Sequence, residues 1–369
     1  MPKPLLIVLH GSGKYTTDWA TKHLARLDEL SGQYQRFKNE PFSKQVEVVP
    51  LNYDTVFEGH VNRWAEQRSE LEELSKQTEV RLPGFMTLLK DKTLPPADRG
   101  FLWSHVLDPV AYRGITTVRD EVRSVVLASV VKTIADHLRD SPGSDVSIMG
   151  HSLGTIVLHD ILHLLASEQA GDDGASFRAG AFRFTNVFQV ANATRLGPPK
   201  LIDQKPYDSH VRPLSAGASQ SGHNPYVGTF YNFRNDWDPV SWWRRFNPSG
   251  WGDDYVDVKV EHVHQVNVHG FIHYLEHPDV HVEIFKGMLG FSTVSSTEHN
   301  ARLTEFSDFK PNSCGDTIAK LMQELNRLRT VVTGGNLDEI AMGLYRFYKA
   351  VKTAREGCED LFNTVDGYL

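Results

Sequence analysis

Apolar positions fall along this chain in two rhythms. Short unbroken runs such as Leu5-Leu-Ile-Val-Leu9 offer no polar face, as strands of a parallel sheet buried on both sides do not. Runs of this kind predict strands over residues 5–9, 46–51, 145–149, 182–190, 227–233 and 255–263. Longer segments repeat at helical spacing. Residues 18–37 place Trp19, His23, Leu24, Leu27 and Leu30 on one side. Residues 116–138 place Val118, Val122, Val125, Ser129, Thr133 and Ile134 along a stripe. Strands alternating with helices predict an α/β domain: a mostly parallel central sheet with helices on both faces.

Two stretches break the alternation. Residues 54–112 hold a charged helical segment followed by apolar clusters around Phe85, Leu89, Phe101 and Trp103. Residues 192–226 are rich in Gly, Pro and Ser and show no period. Connections this long are usually functional or mobile in a compact domain, and both leave sheet strands, so residues 82–107 and 192–226 are expected to cover a site at the sheet's carboxyl edge. Beyond residue 290 the pattern changes to a helical hairpin over 316–360. Its stripes are Ile318, Leu321, Met322, Leu325, Leu328 and Ile340, Leu344, Phe347, Val351, with Gly334-Gly335 at the turn. These stripes need cover, from the body of the protein or from a second subunit in a homo-oligomer. The expected organisation is therefore a domain over 1–290, with an insertion at 54–112 and a long loop at 192–226, and a helical extension over 291–369.

Composition narrows the function classes. A net charge of -7 gives no support to nucleic acid as partner. The 2 cysteines make no disulfide framework and point to a reducing, cytoplasmic setting. The first apolar run is too short for a secretory leader, and no stretch has the ~20 apolar residues of a membrane span.

The segment Gly150-His151-Ser152-Leu153-Gly154 carries the chemistry. An apolar strand precedes it, and a helical pattern beginning at Thr155 follows. Gly-x-Ser-x-Gly in that context makes Ser152 a candidate nucleophile on a sharp turn whose flanking positions must lack bulk. A serine nucleophile needs a base, an orienting acid and an oxyanion site. Backbone N–H groups of Leu153 and of Ser12, in the loop His10-Gly-Ser-Gly13, suit the oxyanion. Lys14 does not complete a phosphate-binding loop, because the required glycine spacing is missing. Asp238, before Pro239 at a strand exit, is the preferred acid, with Asp236 as alternative. His262, His264, His269, His273 and His277 compete for the base. His269, beside Gly270 where a loop meets a helix, is preferred over His273. The i, i+4 spacing of His269, His273 and His277 lacks the His-Glu-x-x-His pattern, so a metal centre is not expected.

The order Ser152, Asp238, His269 with an early His-Gly-x-Gly loop resembles the α/β-hydrolase superfamily of serine esterases and lipases. Residues 146–162, the Asp238-Pro-Val segment and the His269–Leu275 pattern His-x-x-x-x-Tyr-Leu are similar to its lipase-like members. The resemblance covers roughly residues 5–289. It implies the α/β-hydrolase fold, an acyl-enzyme mechanism and no cofactor. The apolar insertions favour acyl or lipid esters as substrates. Trp237, Trp242, Trp243, Phe246 and Trp251 would either wall an acyl site or steady the acid loop by packing. A thioesterase or amidase acting on a soluble substrate, and a non-catalytic binding scaffold, are the alternatives.

Overall fold

The computed structural model describes residues 2–66, 107–167, 174–196, 206–235, 238, 241, 245–260 and 269–308, with isolated helical positions between 323 and 350. The unbroken apolar character of Leu5–Leu9 (β1) has a direct cause there. Leu5, Ile7 and Leu9 enter a core on one side of a sheet, and Leu6 and Val8 enter a second core on the other. Between β1 and Glu47–Leu51 (β2) runs Thr21–Ser31 (α1). Asp54–Glu66 (α2), Leu107–Gly114 (α3) and Thr116–Asp140 (α4) lead to Val146–His151 (β3). Leu153–Ala166 (α5) follows at once, then Phe184–Val190 (β4), Val227–Asn235 (β5) and Tyr255–Val260 (β6). Phe271–Glu276 (α6), Pro278–Leu289 (α7) and Ser296–Asp308 (α8) close the described chain apart from the isolated positions.

The six strands are all parallel, in the order β2-β1-β3-β4-β5-β6. The chain steps outward from β1 to β2 and then jumps back past β1 to β3. Right-handed crossovers put these two connections on opposite faces. Hence the α1 and α7 side chains Leu27, Ile284 and Phe285 fill one core, and the α4 and α5 side chains Val122, Ile156 and Leu162 fill the other. The reversal leaves the carboxyl ends of β1 and β3 facing a crevice, where ligands bind in open sheets of this kind.

Several boundaries and one stripe differ from the pattern-based expectation. The helix expected over 18–37 stops at Ser31, where Gly32 donates its N–H to Asp28, and a short 3-10 turn follows at Gln35–Phe37. Strands β3 and β5 run on to His151 and Asn235, because those residues still pair with Val190 of β4 and Val260 of β6. On α4 the buried residues are Val118, Val122, Val126, Val130 and Ile134, while Val125 is 40% exposed. Uniform steps of four wind a stripe around a helix. The neighbours of α4 change along its length, from α2 and α3 to the edge strand β2, where His137 Nδ1 meets Glu47 at 2.8 Å. The segment 82–106 and most of the C-terminal hairpin lie outside the described residues. Tyr345, within the hairpin, is buried in the core that α4 and α5 cover. No described helix is long and apolar enough to cross a membrane.

Candidate active site

Ser152 sits between the last residue of β3 and the first of α5 with φ 51° and ψ -120°. A side-chain-bearing residue held there costs about 1–3 kcal/mol, so the surroundings must impose it. They do so at both glycines. A Cβ on Gly150 would stand 2.7 Å from the Gly154 carbonyl oxygen. One on Gly154 would stand 2.3 Å from the His10 carbonyl oxygen and 2.8 Å from that of Leu9. The first turn of α5 is thus pressed onto the end of β1, which no other residue type permits. The Ser152 N–H donates to the Val190 carbonyl at 3.0 Å, fixing the turn to β4.

Three side chains from three parts of the sequence meet at this turn. The Ser152 hydroxyl lies 2.7 Å from His269 Nε2, and His269 Nδ1 lies 2.8 Å from Asp238 Oδ2. A carboxylate only accepts, so Nδ1 carries the proton and Nε2 is free to accept from the serine. Asp238 is wholly buried, whereas the His269 side chain is 29% exposed. Asp238 follows β5 by three residues, and its N–H donates to the Asn235 carbonyl at 3.1 Å. Its Oδ2 also accepts the hydroxyl proton of Tyr274, on α6, at 2.8 Å. His273 is buried and hydrogen-bonds Asn235, and His277 accepts the N–H of Asp279 at the start of α7. Asp236, His262 and His264 lie outside the described residues. Among the described residues no group of three His, Cys, Asp or Glu side chains is arranged to hold a metal ion.

The loop after β1 lies against the serine. A Cβ on Gly11 would stand 3.0 Å from Ser152 Cβ, so Ser12 follows directly on the residue that abuts Ser152. Leu153 opens α5, where a helix's first N–H groups point outward unpaired and carry positive potential. Several groups hold this loop. The His10 ring is stacked between Tyr15 and Tyr53, each at 4.1 Å. Burial lowers its pKa to about 4, so it is neutral and accepts the Tyr53 N–H. Asp54 accepts the Tyr15 N–H at 3.0 Å, and Asn52 donates to the carbonyls of Tyr15 and Thr16. Buried Asp108 accepts from the backbone of Gly13. Burial pushes Asp54 up to about 6, and burial and then the Asp54 charge push Asp108 well above the carboxylate range.

These supports were not identified from the sequence. Asn52, Asp54 and Asp108 stand at element boundaries, where polar residues are ordinary. Tyr274 stands in the His-x-x-x-x-Tyr-Leu pattern, five residues past His269, and that spacing is the sequence signal for its contact with Asp238. Phe246 and Trp251 are buried against Phe230 and Tyr255, so these two members of the aromatic group pack the domain and do not wall the site. Trp237, Trp242 and Trp243 lie outside the described residues.

The stretch 192–226 departs from its expected course. It begins at the site, with Ala193 N–H on the Thr155 hydroxyl. From residue 206 it runs along α5, with Ser209 on His159 and the His210 N–H on His163, to pair with the start of β5. A parallel sheet demands this, because β5 begins at the edge opposite to the one where β4 ends. Residues 206–226 therefore lie about 10 Å or more along the helix from Ser152, at 1.5 Å per residue.

No family model and no curated protein matches the sequence. Among solved structures, the chain is similar to an uncharacterized protein from Pseudomonas aeruginosa at 12% identity and a TM-score of 0.31. The match covers 99% of this chain and 63% of that one, so the chain spans less than two thirds of that protein's length. A likeness at this level carries no functional argument.

Proposed function

We propose that the chain is a serine hydrolase of the α/β-hydrolase type that cleaves carboxylic esters through an acyl-enzyme. The observation that carries this reading is the unbroken chain of hydrogen bonds from Ser152 through His269 to buried Asp238, with the serine on a strained strand-to-helix turn. In the first step Ser152 Oγ attacks the ester carbonyl while His269 Nε2 takes its proton. Asp238 holds the ring and stabilises the imidazolium. The Leu153 and Ser12 N–H groups stabilise the oxyanion. His269 then returns the proton to the departing alcohol. Water, deprotonated by the same nitrogen, releases the acid and restores Ser152. No cofactor enters these steps. The apolar load of residues 82–107 favours acyl or lipid esters over small polar ones.

A fluorophosphonate probe should label the wild-type protein and leave Ser152→Ala unlabelled. The same variant should lose about 10⁴-fold or more in ester turnover, the scale seen for a triad serine. A series of p-nitrophenyl esters of increasing chain length then reads the acyl preference, and most of the turnover surviving in Ser152→Ala would overturn the mechanism.

A further inference from the structure

The residue before the nucleophile is placed unlike a filler. The His151 imidazole Nε2 lies 2.8 Å from the main-chain carbonyl oxygen of His269. That oxygen can only accept, so Nε2 carries the ring proton and Nδ1 is bare. Nδ1 is buried with no hydrogen-bond partner among the described residues. It faces Gly11, where an added Cβ would stand 2.9 Å from it. The ring stacks on Phe271 at 5.0 Å and 17°, and lies 5.1 Å from the His269 ring. Phe271 in turn rests on His23 of α1, and His23 on Trp19. A purely packing role would be met better by an apolar ring, which strands no buried nitrogen.

We infer that His151 is a positioning residue, which sets the height and tilt of the His269 ring by holding its backbone through the Nε2–H bond. This rests on the hydrolase reading of Ser152, Asp238 and His269. The covalent neighbour of the nucleophile thereby holds the backbone of the base, so any shift of the turn carries both reacting groups together. The device also requires a neutral ring, because an imidazolium 5.1 Å away would oppose the charge that His269 gains in turnover. Burial, and then the neighbouring His269, hold the His151 pKa well below the ordinary value.

Two substitutions separate the donor from the ring. His151→Phe keeps the stack and removes the N–H. His151→Gln keeps a side-chain N–H near the same place and removes the ring. For a short p-nitrophenyl ester, His151→Phe should lower kcat about tenfold to a hundredfold, the range for a small misplacement of a catalytic group. KM should hold, and His151→Gln should recover kcat to within about threefold of wild type. The low-field proton NMR signal of the His269–Asp238 hydrogen bond should shift or broaden in His151→Phe and return in His151→Gln. Wild-type kcat with an unshifted signal in His151→Phe would overturn the inference, as would equal losses in both variants. Nitrogen-15 shifts of the wild-type imidazoles give a test free of folding defects: His151 should be neutral and protonated at Nε2 at pH 7, and any other state refutes it. Absence of fluorophosphonate labelling in the wild type would instead count against the hydrolase reading, and the NMR readouts would still decide the role of His151.

Discussion

At the scale of single residues, the site depends on positions that never touch a substrate. Tyr274 shares the Asp238 oxygen that the His269 ring meets. A hydrogen bond to a charged group contributes about 1.5–3 kcal/mol. Tyr274→Phe should therefore lower kcat/KM about tenfold and leave the fold intact, as steady-state kinetics and circular dichroism will read; an unchanged kcat/KM would remove Tyr274 from the account. Gly154 has a different task. Its missing Cβ admits the His10 and Leu9 carbonyls, both main chain and so unable to swing aside. Gly154→Ala should cost about 2 kcal/mol or more, on the scale of overpacked cores, and should also displace the Gly11–Gly13 loop. Urea denaturation checks the first effect and ester turnover the second.

At the scale of elements, α4 distinguishes a pattern read on paper from the contacts a helix makes. Val126 is 1% exposed and Val125 40%. Val126→Ala should destabilise the protein by about 1–3 kcal/mol, while Val125→Ala should stay within about 0.5 kcal/mol. Equal effects would mean that the stripe is wrong. Helix α5 shows the same coupling between neighbours. Its outer side meets the returning segment 206–226 through His163, His210 and His223, whose ring centres lie 4.5–5.2 Å apart. Burial and then the neighbouring imidazoles lower the His163 pKa to about 3. The segment lies against a helix that starts directly after Ser152, so its loosening would be felt at the candidate site through α5.

At the scale of the molecule, buried neutral histidines make the fold sensitive to acid. Burial holds His10, His23 and His159 at about 4 and His163 and His281 at about 3, and it holds His151 well below its ordinary value. Each binds a proton near pH 6.5 when unfolded and not when folded, so its contribution is complete above that pH and is lost as pH falls toward the folded value. Asp54 and Asp160, raised to about 6, and Asp108, raised further, act in the opposite sense: the folded chain keeps protons that the unfolded chain releases above about pH 4. The lowered histidines outnumber the raised carboxylates among the described residues, so unfolding near pH 5 takes up protons on balance and stability falls with pH. The free energy of urea unfolding should therefore fall steeply between pH 6.5 and 4.5. A flat profile would show that these imidazoles are not buried as described.

The parallel α/β sheet and the serine turn were legible in the one-dimensional pattern because both are local. An unbroken apolar run can only be a strand covered on both faces, and a glycine pair around Ser152 answers to a backbone conformation that a few residues impose. The order of the candidate side chains was legible too, since it follows the order of strand ends. The choice of His269 among five histidines needed distances across the fold, for a ring's reach is set by where its loop is held. So did the carboxylates behind the Gly11–Gly13 loop, the winding stripe of α4 and the course of residues 206–226 along α5. Each depends on which element happens to lie alongside, and residues remote in sequence become neighbours only when the sheet closes the distance between them.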